Sequence, residues 1–233
     1  MKVSIHQPDY IPWIGLFYKM FLSDVFIHLD DVQYSNTGAH NYNVIKTAQG
    51  ELRLKFPVEY HFGNIISEAR PKYELNWREK HLRTLEMNYS KAKFFKDTFP
   101  ELQDVIMVDY PNVAELNIAI NEYIAKRFGI TPKFIRSSEF AIETKREEKV
   151  IDLCVAVGGT CYISGNGARV YQDPKHFLAR DVELTYLDYK PIKYPQVWNE
   201  FLPCLSVLDY IFNCGYDWEY VLKKVAEQNE RDR

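Results

Sequence analysis

The 233-residue chain lacks the markers of several function classes at once. Its cysteines, Cys154, Cys161, Cys204 and Cys214, contain no Cys-x-x-Cys pair, and no histidine stands at a zinc-ligand offset from them, which argues against a zinc site or a thiol redox motif. Cys154 on a helix stripe and Cys161 in a strand read as small core residues. No apolar run approaches the about 18 residues that a membrane span needs. Met1 leads straight into strand-like sequence with no room for a signal peptide, so a cytoplasmic protein with no membrane partner is expected. The net charge of −3 supplies no basic field to recruit a nucleic-acid duplex. There is no Gly-x-Ser-x-Gly nucleophile elbow, no G-x-G-x-x-G, no Walker sequence, no internal repeat and no linker.

What remains is an ordinary globular composition, 46% hydrophobic and 26% charged, with an aromatic fraction of 15% that includes 17 Tyr and 14 Phe. Tyrosine offers a stacking face and a hydroxyl, which suits sugar, nucleotide or peptide ligands; a Tyr-rich core is the other reading.

Periodicity gives the expected layout. Val3 to Ile5, Ile14 to Leu22 and Val25 to Leu29 read as strand, helix and parallel strand. Val44 to Thr47 and Leu52 to Val58, joined at Gln49-Gly50, read as a hairpin. Helices follow at Trp77 to Tyr89 and around Phe94, Phe95 and Phe99, with Pro100 to Pro111 as connector, and then at Val113 to Phe128. Lys133 to Arg136, Glu147 to Val157 and Thr160 to Ser164 make a second strand–helix–strand unit, and Leu184 to Tyr186 adds a strand. The expectation is one α/β domain over 1–233, with a mainly parallel sheet from 2–6, 25–30, 133–136 and 160–164. Helices should cover both faces, with a helical insertion at about 76–100 and C-terminal helices at about 205–226.

The candidate site comes from strand ends. His6-Gln7-Pro8 sits at the carboxyl edge of the first strand, where open α/β sheets bind ligands. His6 reads either as a site imidazole or as a hydrogen-bonded core histidine in a proline-shaped turn. Asp30, Asp31 and Gln33, followed by Tyr34, end the second strand; adjacent residues in a strand face opposite ways, so one carboxylate at most faces a site. No metal is assigned to them. Ser164-Gly165-Asn166-Gly167-Ala168-Arg169 ends a late strand and reads as an anion-approachable turn or a plain glycine turn. Arg136-Ser137-Ser138 ends the preceding strand on the same edge. His40-Asn41-Tyr42-Asn43 with Lys46, and Trp77 with Lys80 and His81, are polar or mixed clusters suited to sugars or phosphates. The run Lys145-Arg146-Glu147-Glu148-Lys149 reads as a solvated helix start.

On these pieces the chain resembles the WbqC-like family of bacterial proteins. The matching residues are His6 through Gly15, Asp30-Asp31-Val32-Gln33-Tyr34, Asn41 and Asn43 before Ile45-Lys46-Thr47, Trp77 with Lys80-His81, and Tyr162-Ile163-Ser164-Gly165. Tyr194-Pro195-Gln196 and Leu205 through Gly215 complete the set. Where the family commonly has Asn-Arg-Asn, this chain has Asn41-Tyr42-Asn43. Family members tend to be encoded among genes for surface polysaccharides and unusual amino sugars, which implies a tailoring enzyme acting on a nucleotide-linked sugar. The reaction expected of such an enzyme here is acylation, for example glycylation, of an amino-sugar nitrogen by an N-acyl transferase or ATP-dependent amide ligase. His6 would be the base, Gln7 and the N–H groups near Ser164 and Gly165 would face the oxyanion, and Asp30 or Asp31 would orient the amine. Substrate contacts would come from Tyr10, Gln33, Tyr34, Asn41, Asn43, Lys46, Lys80, His81, Ser137, Ser164, Gly165, Asn166 and Arg169. The layout also resembles the nucleotidylyltransferase-type α/β fold, which makes ATP a candidate cofactor, although one histidine stands here in place of that fold's His-x-x-His pair. The alternative is a non-catalytic protein that holds a nucleotide or nucleotide sugar for a partner enzyme.

Overall fold

The computed structural model of the chain describes residues 1–198 and 200–231; Asn199, Asp232 and Arg233, part of the expected 1–233 unit, lie outside the described residues. In chain order the elements are β1 (Lys2–His6), α1 (Ile14–Phe21), β2 (Val25–His28), β3 (Tyr42–Thr47), β4 (Gly50–Lys55), β5 (Val58–Glu59), β6 (Arg70–Pro71), α2 (Trp77–Tyr89), α3 (Phe95–Ile106), α4 (Val113–Arg127), β7 (Lys133–Arg136), α5 (Arg146–Ala156), β8 (Cys161–Ser164), α6 (Pro174–Leu178), β9 (Glu183–Tyr186), α7 (Val207–Cys214) and α8 (Trp218–Arg231).

Five strands form one parallel sheet in the order β7-β2-β1-β8-β9. Counted along the chain this is 3-2-1-4-5, the order of doubly wound folds. The strands alternate their side chains as the pleat requires. Val3 and Ile5 of β1, level with Val25 and Ile27 of β2, face Ile151, Leu153 and Cys154 of α5 and Phe177 of α6. Phe26 points the other way, into a larger core with Ile14, Phe17 and Met20 of α1 and Leu116, Ile120 and Ile124 of α4. Each such side chain contributes about 1.5–3 kcal/mol on burial. Helices therefore cover both faces. β3 and β4 pair as the antiparallel hairpin, and the C-terminal helices add Leu208, Ile211 and Val221 to the larger core.

Three boundaries differ from the sequence pattern. The second hairpin strand, expected over Leu52 to Val58, ends at Lys55, and Val58 belongs to β5, which pairs with β6. β2 ends at His28: the Leu29 N–H makes the last ladder bond, to the His6 carbonyl at 2.8 Å, and the Asp30 N–H turns off to His28 O and to Ser137 Oγ beyond β7. α3 runs through Pro100 to Ile106 instead of stopping there. Thr98, Leu102 and Ile106 are buried along it, and that burial outweighs the backbone hydrogen bond the proline forgoes. Among the described residues no helix is long and apolar enough to cross a membrane, and no group of three His, Cys, Asp or Glu side chains stands close enough to hold a metal ion.

Candidate functional site

The connection that leaves β2 returns over one face of the sheet, and α5 carries the chain to the other face before β8. β1 and β8 are thus neighbours whose outgoing connections diverge, and a crevice opens beyond their carboxyl ends. Here it is a cleft of about 1340 Å³, roomier than the about 300–1,000 Å³ of a typical small-molecule site. His6 and Gln7 enter it from β1, Asp31 and Gln33 from the segment after β2, and Ser164 and Gly165 from β8. The opposite wall is Glu143 to Glu147 with Lys149, and Tyr171 and Gln172 close one side. Asp31 and Lys149 make a 2.7 Å ion pair across it.

The floor opens because β1 and β8 stay paired only at Lys2–Cys161 and Val3–Tyr162. Carbonyls alternate in direction along a strand. The His6 carbonyl is taken on the β2 side by Leu29, so that of Ile5 points towards β8, which has parted from it. Lys19 of α1 fills the gap, its Nζ donating to Ile5 O at 2.8 Å and lying 5.9 Å from the Tyr162 ring.

The loop from His6 to Pro12 is immobilised carbonyl by carbonyl. The acceptors of His6, Gln7, Pro8, Asp9, Tyr10, Ile11 and Pro12 are bonded in turn by Leu29 N, His6 Nδ1, Asn117 Nδ2, Asn121 Nδ2, Asn43 Nδ2, Ser206 Oγ and Val207 N, at 2.8–3.0 Å. Ile11 holds a left-handed φ of 44° inside it, a conformation that persists only where the surroundings over-determine it. Gly15 follows because a Cβ there would meet the Trp13 ring at 2.4 Å.

A carbonyl oxygen only accepts, so the 2.8 Å contact with Gln7 O puts the His6 proton on Nδ1. Nε2 then carries a lone pair that no described residue engages. The ring sits below the cleft mouth with 36% of its side chain still open to the cavity. Burial, with the Lys19 charge behind it, pushes its pKa down to about 4. Asp9, 3.8 Å from the ring and 3.6 Å from His40 Nδ1, is pushed up to about 6 by its own burial.

The two aspartates lie beyond the end of β2 and divide by their partners. Asp30 is buried and bonded to Ser138 N at 3.0 Å and Ser138 Oγ at 2.7 Å, tying β2 to the end of β7. Ser137 accepts from Asp30 N and gives its single hydroxyl hydrogen to Asp31 at 2.5 Å, so it supports the site from behind the lining. Asp31 lines the cleft.

Several sequence-selected residues lie elsewhere. Tyr10 is buried edge-on against Phe56 and bonds His81, which donates its Nε2 hydrogen to Lys55 O. Tyr34 is buried against Tyr60, Asn41 bonds Phe56 O, and Asn43 holds the Tyr10 carbonyl. Lys46 is clamped by Gln196, Trp198 and Glu200. Lys80 bonds Leu75 O on the surface, and Arg169, bonded to Asn166, lies over the Tyr186 ring on the exposed side of its turn. Tyr42 is covered by the Arg53 guanidinium at 4.3 Å from the adjacent strand. The Lys145–Lys149 run is the expected helix start, with Lys145, Arg146 and Glu148 exposed, and Lys149 departs from the solvated reading. Lys145, Arg146 and Glu147 border the cleft, and Lys149 is buried on Asp31. Lys19 was missed as well, though a visible signal existed: a lone charge in the otherwise apolar Trp13-to-Leu22 stretch. For Asn117 and Asn121, inside the α4 stripe, the signal was similar.

The profile of the WbqC-like protein family matches residues 7–219. The chain belongs to this family. A relative from Mycobacterium tuberculosis (strain ATCC 25618 / H37Rv), the uncharacterized protein Rv1507c, is 33% identical over 218 residues, covering 92% of this chain and 94% of the relative. No solved structure is significantly similar.

Proposed function

We propose that this WbqC-like protein is an enzyme of bacterial surface-glycan biosynthesis that acylates the amino group of a nucleotide-linked amino sugar in the cleft between β1 and β8. One observation carries the reading: His6, held on a fully bonded loop, presents a neutral ring with its Nε2 lone pair free in a cleft large enough for such a substrate. The sugar nitrogen forms a bond to the acyl carbon, the bond to the leaving group breaks with its electron pair, and His6 Nε2 takes the proton that the amine loses. The Gln7 amide lines the same edge and suits the oxyanion, and Asp31, fixed by Lys149, suits the amine. An anionic substrate beside the ring raises its pKa towards working pH. ATP, the cofactor that the layout implies, would meet Lys145 and Arg146 on the opposite wall and would supply activation of the acyl group.

The depressed value of His6 supports a second reading, a non-catalytic holder of a nucleotide sugar, because a ring near pH 4 is a weak base on its own. Incubation with nucleotide-linked amino sugars and either acyl thioesters or amino acids with ATP, followed by mass spectrometry, separates the two. The expected result is an N-acylated sugar nucleotide with wild type and none with His6→Ala at unchanged melting temperature. Full activity in His6→Ala overturns its role. Ligand stabilisation, about 2.7 kcal/mol at 100 times Kd, without product from any donor selects the second reading.

A further inference from the structure

Lys19 is only 4% exposed, yet its ammonium makes one hydrogen bond, to Ile5 O, where it has three donors to offer. Among the described residues no carboxylate lies within ion-pairing distance of it. The titratable groups that face it are His6, Cys154 and Tyr162, and none supplies a counter-charge. His6 is neutral at pH 7, and burial pushes the Cys154 thiol up to about 12 and raises the Tyr162 phenol as well. An ammonium taken out of water without a partner is strongly unfavourable, and packed hydrophobic side chains of similar size serve a core better. Here the cation sits where the sheet splits, at the floor of the cleft, with its remaining donors uncommitted.

We propose that Lys19 is the base of an anion subsite in the gap between β1 and β8, and that the group it receives is the phosphoryl group of the substrate. This deepens the reading of the cleft as the substrate site and names what its inner end binds. A phosphoryl group supplies several oxygens to one ammonium, which recognises it as a point charge. Its arrival completes the coordination that the fold leaves open, beside the free Nε2 of His6. The other cleft cation of comparable burial, Lys149, is already neutralised by Asp31, which directs the anion to Lys19.

The test is calorimetric titration of the intact protein with inorganic pyrophosphate, inorganic phosphate and acetate, for wild type and Lys19→Met. Methionine keeps the length of the stem and removes the charge. Pyrophosphate should bind wild type saturably, and Lys19→Met should weaken it by at least about tenfold, the loss expected for one charge-assisted contact. Equal affinities in the two proteins, acetate binding as tightly as pyrophosphate, or no binding to wild type would each overturn the proposal. If Lys19→Met does not fold, the wild-type affinity against pH decides: it should fall as pH rises through about 8, where Lys19 loses its proton. Affinity unchanged across that range would also overturn the proposal. Pyrophosphate binding without acyl transfer would leave the subsite standing and defeat the acylation reading. Turnover untouched in Lys19→Met would do the reverse.

Discussion

Of the three buried lysines, Lys149 is paired with Asp31, and the other two, Lys46 and Lys19, are buried differently. Lys46, 1% exposed on β3, donates to Gln196 Oε1 and to the carbonyls of Trp198 and Glu200 at 2.6–3.1 Å, clamping that segment onto the hairpin. Its own N–H is taken by Tyr89, whose hydroxyl bonds the buried Asp209, the carboxylate that favours its charge. Among the described residues Lys19 has one acceptor and no carboxylate partner. The first is a cation whose donors the fold has used up; the second keeps donors in reserve at a cavity. A buried charge that is fully coordinated marks architecture, and one left partly coordinated beside a cleft marks a place for a ligand.

The comparison breaks most visibly in stability. Lys46→Met leaves the segment's acceptors and Asp209 without their cation and should lower the free energy of unfolding by about 3 kcal/mol, read by denaturant titration. Lys19→Met should be neutral or stabilising in the same assay. A Lys19→Met protein as damaged as Lys46→Met would erase the distinction.

Asn117→Ala sharpens it on a neutral group. The amide donates to both Pro8 O and His40 O at 2.8 Å, so its loss should cost about 1–3 kcal/mol and speed amide exchange in the His6–Pro12 loop. Unchanged exchange would show that the loop does not depend on these bonds.

Smaller effects follow pH. In the alkaline range the folded Lys19 sheds its proton at about 8, whereas the unfolded residue keeps it to 10.5. The unfolded state binds more protons there, so wild type should gain stability relative to Lys19→Met between those values. In the acid range His6 and His81, both pushed down to about 4 by burial, resist protonation only when folded, which makes stability fall as pH drops from 6.5 towards 4. Asp9, raised to about 6, opposes them over part of that window, since its folded form holds the proton more tightly. His40, lowered by burial, adds to the loss and Asp209, raised by burial, offsets it; a net loss on acidification is the expected outcome, and thermal melts across that range showing a rise would contradict the assignment.

Much of the frame was legible in the chain. Val3–Ile5, Val25–Ile27, Lys133–Arg136 and Cys161–Ser164 are short apolar or mixed runs bounded by turn residues and separated by helical periodicity, and they form the parallel sheet. The hairpin at Gln49-Gly50 was equally plain. The asparagines were the harder case. Asn41 and Asn43 carry donors suited to a sugar, but an amide does not announce whether its acceptor is a ligand or a carbonyl of its own chain, and here it is the chain's own.

Pattern alone settled the identity and alternation of the strands, the apolar faces of the helices and the placing of His6 at a strand end, because these depend on neighbours within a few residues. Tertiary structure decided the rest. It chose Asp31 over Asp30 for the cleft, moved Lys149 from the solvated face to an ion pair, closed Lys46 and opened Lys19. Each outcome turns on which oxygens from distant segments come within about 3 Å, and hydrogen bonds and charges are settled at that range and by burial, neither of which a one-dimensional spacing contains.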